Sequence, residues 1–177
     1  MSSSNLPLAF KFYGISPWEL EVIYSLLHSL FRVEETPTTD QDGEFTTMVD
    51  ITFPSEFNDA FFKWFGSTKW EKTKEILKEM KRRRGRGKSI VVYIKFSGKP
   101  SVKFTIDSDE RRMFDAAIDK IDFVLELLQY HLDPQKMPKS ITEVSYSFDE
   151  ASGRWNIDHA VAGDERYSFS KNEWNII

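Results

Sequence analysis

The sequence contains no cysteine, which excludes a disulfide framework, thiolate zinc sites and a cysteine nucleophile. It also lacks any run approaching the roughly 18 uninterrupted apolar residues of a membrane span. Its densest apolar stretch, 121–132, is broken by Asp122, Glu126 and Gln129. The opening residues, Met1-Ser2-Ser3-Ser4-Asn5-Leu6-Pro7, have neither the basic start nor the apolar run of a secretory signal. A soluble cytoplasmic protein with no membrane partner is therefore expected, and the lack of cysteine accords with a reducing compartment.

Catalytic signatures are equally scarce. There is no Gly-x-Ser-x-Gly, no His-Glu-x-x-His and no Gly-x-Gly-x-x-Gly. Gly87-Lys88-Ser89 resembles the end of a phosphate-binding loop. However, Arg82 stands where the first glycine belongs, and the segment reads helix to strand rather than strand to helix. Asp40-Gln41-Asp42-Gly43-Glu44 lacks the third ligand and the distant glutamate of a calcium loop. The three histidines, His28, His131 and His159, are isolated from one another. His131 falls near the end of a helix, where its cation would favour the dipole. His159 and Asp158 are expected on opposite sides of a strand, which makes a poor dyad. No catalytic residue, metal or cofactor is expected, and the protein is expected to be non-enzymatic.

What is present fits one domain, 1–177. The chain has 177 residues, of which 40% are hydrophobic and 29% charged, the balance of a globular protein. Residues 8–14 read as a strand. Ser16-Pro17-Trp18-Glu19 is a capping box with proline at the first helical position. Leu20, Ile23, Leu27, Leu30 and Phe31 continue a helix over 17–32. Residues 34–43 read as a loop. Phe45, Thr47, Val49, Ile51 and Phe53 alternate as a half-buried strand. Short and long helices follow over 56–65 and 69–84, then strands over 88–97 and 102–106. Asp107 and Glu110 form a second capping box ahead of a helix over 108–132, with Phe114, Ile118, Ile121, Leu125, Leu128 and Leu132 as its core stripe. The remainder, about 140–170, reads as a meander, with Trp155, Ile157, His159 and Val161 on one strand face. Residues 170–177 read as a loose end or a helical turn. Hairpins outnumber sustained strand–helix alternation. The expected fold is α+β, with a largely antiparallel sheet and helices on one face.

Charge is segregated along this chain. Residues 69–88 carry ten basic and three acidic side chains, a local charge of +7, which leaves −11 on the rest of a chain whose net charge is −4. Glu71, Glu75 and Glu79 fall on one helix face and can pair with Lys74 or Lys78. Lys81, Arg82, Arg83 and Arg84 fill the last turn, where cations complement the helix dipole. Arg86 and Lys88 follow on a loop with Gly85 and Gly87. These six basic residues are candidates for binding phosphate or nucleic acid. Asp115, Asp119, Asp122 and Glu126 share one face of the long helix, a candidate contact for a basic partner. Aromatics cluster at Phe53, Phe57, Phe61, Phe62, Trp64, Phe65 and Trp70, which can build a core or an interface. The favoured expectation is a protein-binding module of the inhibitor or immunity type. It would use Asp115, Asp119, Asp122 and Glu126, with Trp64 as an anchor. The alternative is nucleic-acid or phosphate binding through 81–88.

Overall fold

The computed structural model describes residues 6–39, 44–54, 68–133, 135–171 and 173–177. Nine strands form one sheet: β1 (Pro7–Tyr13), β2 (Arg32–Pro37), β3 (Thr47–Phe53), β4 (Ile90–Phe96), β5 (Ser101–Ile106), β6 (Glu143–Asp149), β7 (Arg154–Ala162), β8 (Glu165–Ser170) and β9 (Glu173–Ile176). Three helices among the described residues pack against it: α1 (Pro17–His28), α2 (Thr68–Arg84) and α3 (Arg111–His131). Their order in space is β2-β1-β3-β4-β5-β6-β7-β8-β9. The expected helix over 56–65, with Phe57, Phe61, Phe62, Trp64 and Phe65, lies outside the described residues.

The fold is α+β as expected, but the sheet is mixed. Pairs β1–β2, β3–β4 and β5–β6 are parallel. The other five pairs are antiparallel. The cause is the placement of the helices. A parallel neighbour needs a long crossover, and α1, α2 and α3 each supply one. Strand–helix–strand units are thus sustained three times, joined by antiparallel neighbours that the sequence pattern had weighted more heavily.

Alternation buries one face. Leu8, Phe10 and Phe12 of β1, Val49, Ile51 and Phe53 of β3, and Val102, Phe104 and Ile106 of β5 all enter the core. The α3 stripe of Phe114, Ile118, Ile121, Leu125 and Leu128 meets them as expected, and Leu132 lies at its half-buried end. Ser16 caps α1 as expected: its hydroxyl accepts from the Glu19 amide at 3.1 Å, and its own amide donates to Glu19 Oε1 at 2.9 Å.

Several boundaries differ from the sequence reading. Helix α1 stops at His28, and residues 32–37, expected as helix end and loop, form the edge strand β2. Only Val33 of β2 is even half-buried, so this strand is held by its backbone pairing to β1 and carries little side-chain pattern. The second capping box does not form. Helix α3 begins after Glu110, which makes no side-chain cap, and the Ser108 hydroxyl donates to Glu150 instead. The chain end is strand β9, antiparallel to β8, and not a helical turn.

A register shift in β6–β7 also separates residues expected together. Ser145 opposes His159, whereas Tyr146 opposes Ile157, so Asp158 is the extra residue of a bulge. Trp155 and Ile157 therefore share the helix-covered face with Tyr146. His159 and Val161 turn to the opposite face. The same bulge brings His159 Nδ1 to 2.6 Å from Asp158 Oδ2, a pairing that regular alternation forbids.

Candidate functional site

Helices α2 and α3 lie side by side, and their charged faces meet. Lys74 Nζ donates to Asp122 Oδ2 at 2.8 Å and pairs with Glu71 at 2.8 Å. The Trp70 indole N–H donates to the other oxygen of Asp122 at 2.6 Å. One turn on, Lys78 donates to Asp119. Burial opposes the charge on Lys74, but Asp122 and Glu71 outweigh it and raise its pKa. Asp115 pairs loosely with Arg111 at 3.6 Å. Its Oδ1 is enclosed without a hydrogen-bond partner among the described residues. Burial raises its pKa against the pull of Arg111 and Lys78. Three of the four candidate acids are thus turned toward cations of the same chain. Glu126 is the one of the four without an ion pair among the described residues. Trp64 lies outside the described residues.

The basic segment is drawn into the fold in the same way. Arg84 uses all five of its N–H donors. It meets Glu19 through two bonds of 2.7 Å, Thr47 Oγ1 at 2.7 Å, Met80 O at 3.1 Å and Gly14 O at 3.2 Å. Glu19 is 2% exposed. Burial alone would raise its pKa, but the Arg84 guanidinium and the Ser16 amide and hydroxyl hold it below the ordinary value. Gly14 has to be glycine: at φ +68 a Cβ would lie 2.1 Å from Thr46 O. The capping box read from the sequence is therefore half of a larger junction that ties α1, α2 and β3 together.

Lys81 is 1% exposed. Its ammonium meets Ser89 Oγ at 3.1 Å and Gly87 O at 3.3 Å, and lies over the Phe114 ring. Burial lowers its pKa. Arg82 and Arg83 share Glu79, whose carboxyl is pulled down to about 2, chiefly by its bonds with Arg82. Arg83 also covers the exposed Trp18 ring at 4.7 Å. Lys88 pairs with Glu44 at 2.8 Å. Of the six basic candidates, Arg86 is the one that is exposed with neither a hydrogen bond nor an ion pair among the described residues.

The histidines do not converge. His28 stacks on Tyr24 at the surface. The His131 ring packs on Tyr146 and Phe169, and its Nδ1 shares a hydrogen bond with the Tyr146 hydroxyl at 2.9 Å. Burial pushes the His131 pKa down. Burial therefore disfavours the dipole-stabilising cation expected from the sequence. Among the described residues no group of three or more His, Asp or Glu could hold a metal ion.

The surface that stands out was missed from the sequence. On α3, Phe123, Leu127 and Tyr130 are 64%, 46% and 66% exposed. They step by four and three residues and therefore share one flank. The flank runs toward His131, whose ring reaches Phe169 of β8. Glu126 lies on the same exposed stretch. The signal was present in the sequence, because α3 has more apolar residues than one core stripe can hold. No family model matches the chain, and no curated protein or solved structure is significantly similar to it.

Proposed function

We propose that the protein is a non-enzymatic binding module that recognises another protein through the exposed flank of α3. The observation that carries this is the Phe123, Leu127 and Tyr130 row. Large apolar side chains adjacent on one exposed flank mark interaction surfaces, and aromatic residues are enriched at interface centres. Glu126 beside the row favours a partner whose apolar anchor is ringed by lysine or arginine, since complementary charge speeds encounter. This keeps the expectation of a basic partner but moves the contact one flank around α3, because Asp119 and Asp122 already bind Lys78 and Lys74. An inhibitor-type role, covering a partner's surface, fits such a binder.

The test is affinity capture from native extract with wild-type protein and with a Phe123→Ser/Glu126→Lys/Tyr130→Ser variant. A specific partner should be held by the first and lost by the second, with both equally folded by circular dichroism. If the folded variant retains every partner, the α3 flank is not the contact.

A second reading, nucleic-acid binding through 81–88, is favoured by Arg83 over the Trp18 ring and by Arg86, which is exposed and has no ion pair among the described residues. It demands a steep salt dependence of binding and loss of binding on changing Arg82, Arg83 and Arg86 to Gln.

A further inference from the structure

The sheet face opposite the helices carries a charge arrangement that folding alone does not explain. In the antiparallel pair β4–β5, Lys95 and Lys103 stand directly opposite one another. Like charges in that position destabilise a sheet. The structure compensates one of them. Lys95 Nζ donates to Asp50 Oδ2 at 2.8 Å. Among the described residues no acid lies within ion-pair reach of Lys103. Its ammonium instead lies 4.7 Å from the centroid of the Tyr93 ring, which the Lys95 ammonium also approaches at 5.5 Å. One ring thus gathers two cations. The next residue along the row is Ser145 of β6, which pairs with Lys103 and adds a hydroxyl. Lys95, Tyr93, Lys103 and Ser145 are all half-buried. Part of the cost of ordering them is already met by the fold.

We propose that Lys95 and Lys103, with Ser145 beside them, bind the phosphate group of a small phosphorylated ligand on this sheet face. Two ammoniums supply donors and positive charge to a dianion, the Ser145 hydroxyl adds a donor once it turns from Glu143, and the bound anion would relieve the repulsion between the lysines. The surroundings set the ligand's size. On one side Asp50 holds Lys95. On the other, Glu143 accepts from the Ser145 hydroxyl at 3.3 Å and Asp158 holds His159. Glu34 lies on the edge strand beyond β1. A polyanion extended across the strands would run into these carboxylates. A single phosphate above β4–β5 meets only the two nearest, Asp50 and Glu143.

The test is a nuclear magnetic resonance titration of the whole chain at low ionic strength. The probes are inorganic phosphate, phenyl phosphate and a short oligothymidylate. Both phosphates should give saturable shifts at Lys95, Lys103 and Ser145. Lys103→Gln should weaken binding about tenfold. Asp50→Asn should strengthen it, because a competing carboxylate is removed. Lys139→Gln, at an exposed lysine away from the strands, should change nothing. The proposal is overturned if neither phosphate saturates, if Lys103→Gln binds as wild type, or if the oligothymidylate shifts Lys95 and Lys103 at lower concentration than phosphate does.

Discussion

Along α3, the flank toward α2 carries Asp115, Asp119 and Asp122, and the flank away from it carries Phe123, Leu127 and Tyr130. The charged flank is consumed by the fold, and the apolar flank is left in solvent. Partnership inside the molecule decides this, and polarity does not. The acids face the cations of α2, so their desolvation is offset by ion pairs and hydrogen bonds. The apolar row faces no element of the described chain. A charged surface can thus be structural, while an apolar one is the surface left available to a partner.

Substitutions can break that contrast, and the largest effect is expected where the charge is most enclosed. Arg84→Met should cost about 3 kcal/mol or more, because it leaves Glu19 enclosed and unpaired. Urea unfolding measures this. The pH profile supplies the sign. Glu19 has a folded pKa below its ordinary value of 4.5, so its stabilisation is present above that value and is lost as pH falls through the folded pKa. The Arg84→Met variant should lack that acid-side loss.

Asp122→Ala should come next, at about 1–3 kcal/mol, since it removes the acceptor for Trp70 and the partner of the buried Lys74. An unchanged unfolding midpoint would show that the α2–α3 charges are merely adjacent. His131 should give a smaller, pH-dependent effect because its ring is only half-buried. Its pKa is lowered in the fold, so its contribution is full above about 6.5 and is lost as pH falls through the depressed folded value. His131→Gln should flatten that part of a stability–pH curve. The smallest effect belongs to the exposed flank. Phe123→Ser should leave stability within about 0.5 kcal/mol of wild type while weakening partner capture. A large loss of stability there would mean that the flank is packed.

Local signals were legible in the sequence wherever a pattern is written in consecutive residues. Ser16 and Glu19 announced their cap, Val102, Phe104 and Ile106 announced a strand, and Phe114 through Leu128 announced the buried stripe of α3. Strand β2 was missed because an edge strand needs only backbone partners. The faces of β7 were misassigned because one bulged residue, Asp158, reverses every side chain after it. The candidate site was half legible. The acids and cations were identified, but their consumption of one another was not, because Lys74 and Asp122 are 48 residues apart.

Composition, periodicity and caps were enough to establish an α+β chain without cysteine, a membrane-length apolar run or a Gly-x-Ser-x-Gly, His-Glu-x-x-His or Gly-x-Gly-x-x-Gly motif, because these depend on residue type and short-range geometry. Tertiary structure alone decided that cations of the +7 segment pair with Glu19, Glu44, Asp119 and Asp122, that Arg84 and Glu19, separated by 65 residues, meet in the interior, and that Phe123, Leu127 and Tyr130 remain outside. Each of these outcomes depends on which surfaces come into contact, and Coulomb energy and burial respond to distance in space whatever the separation along the chain.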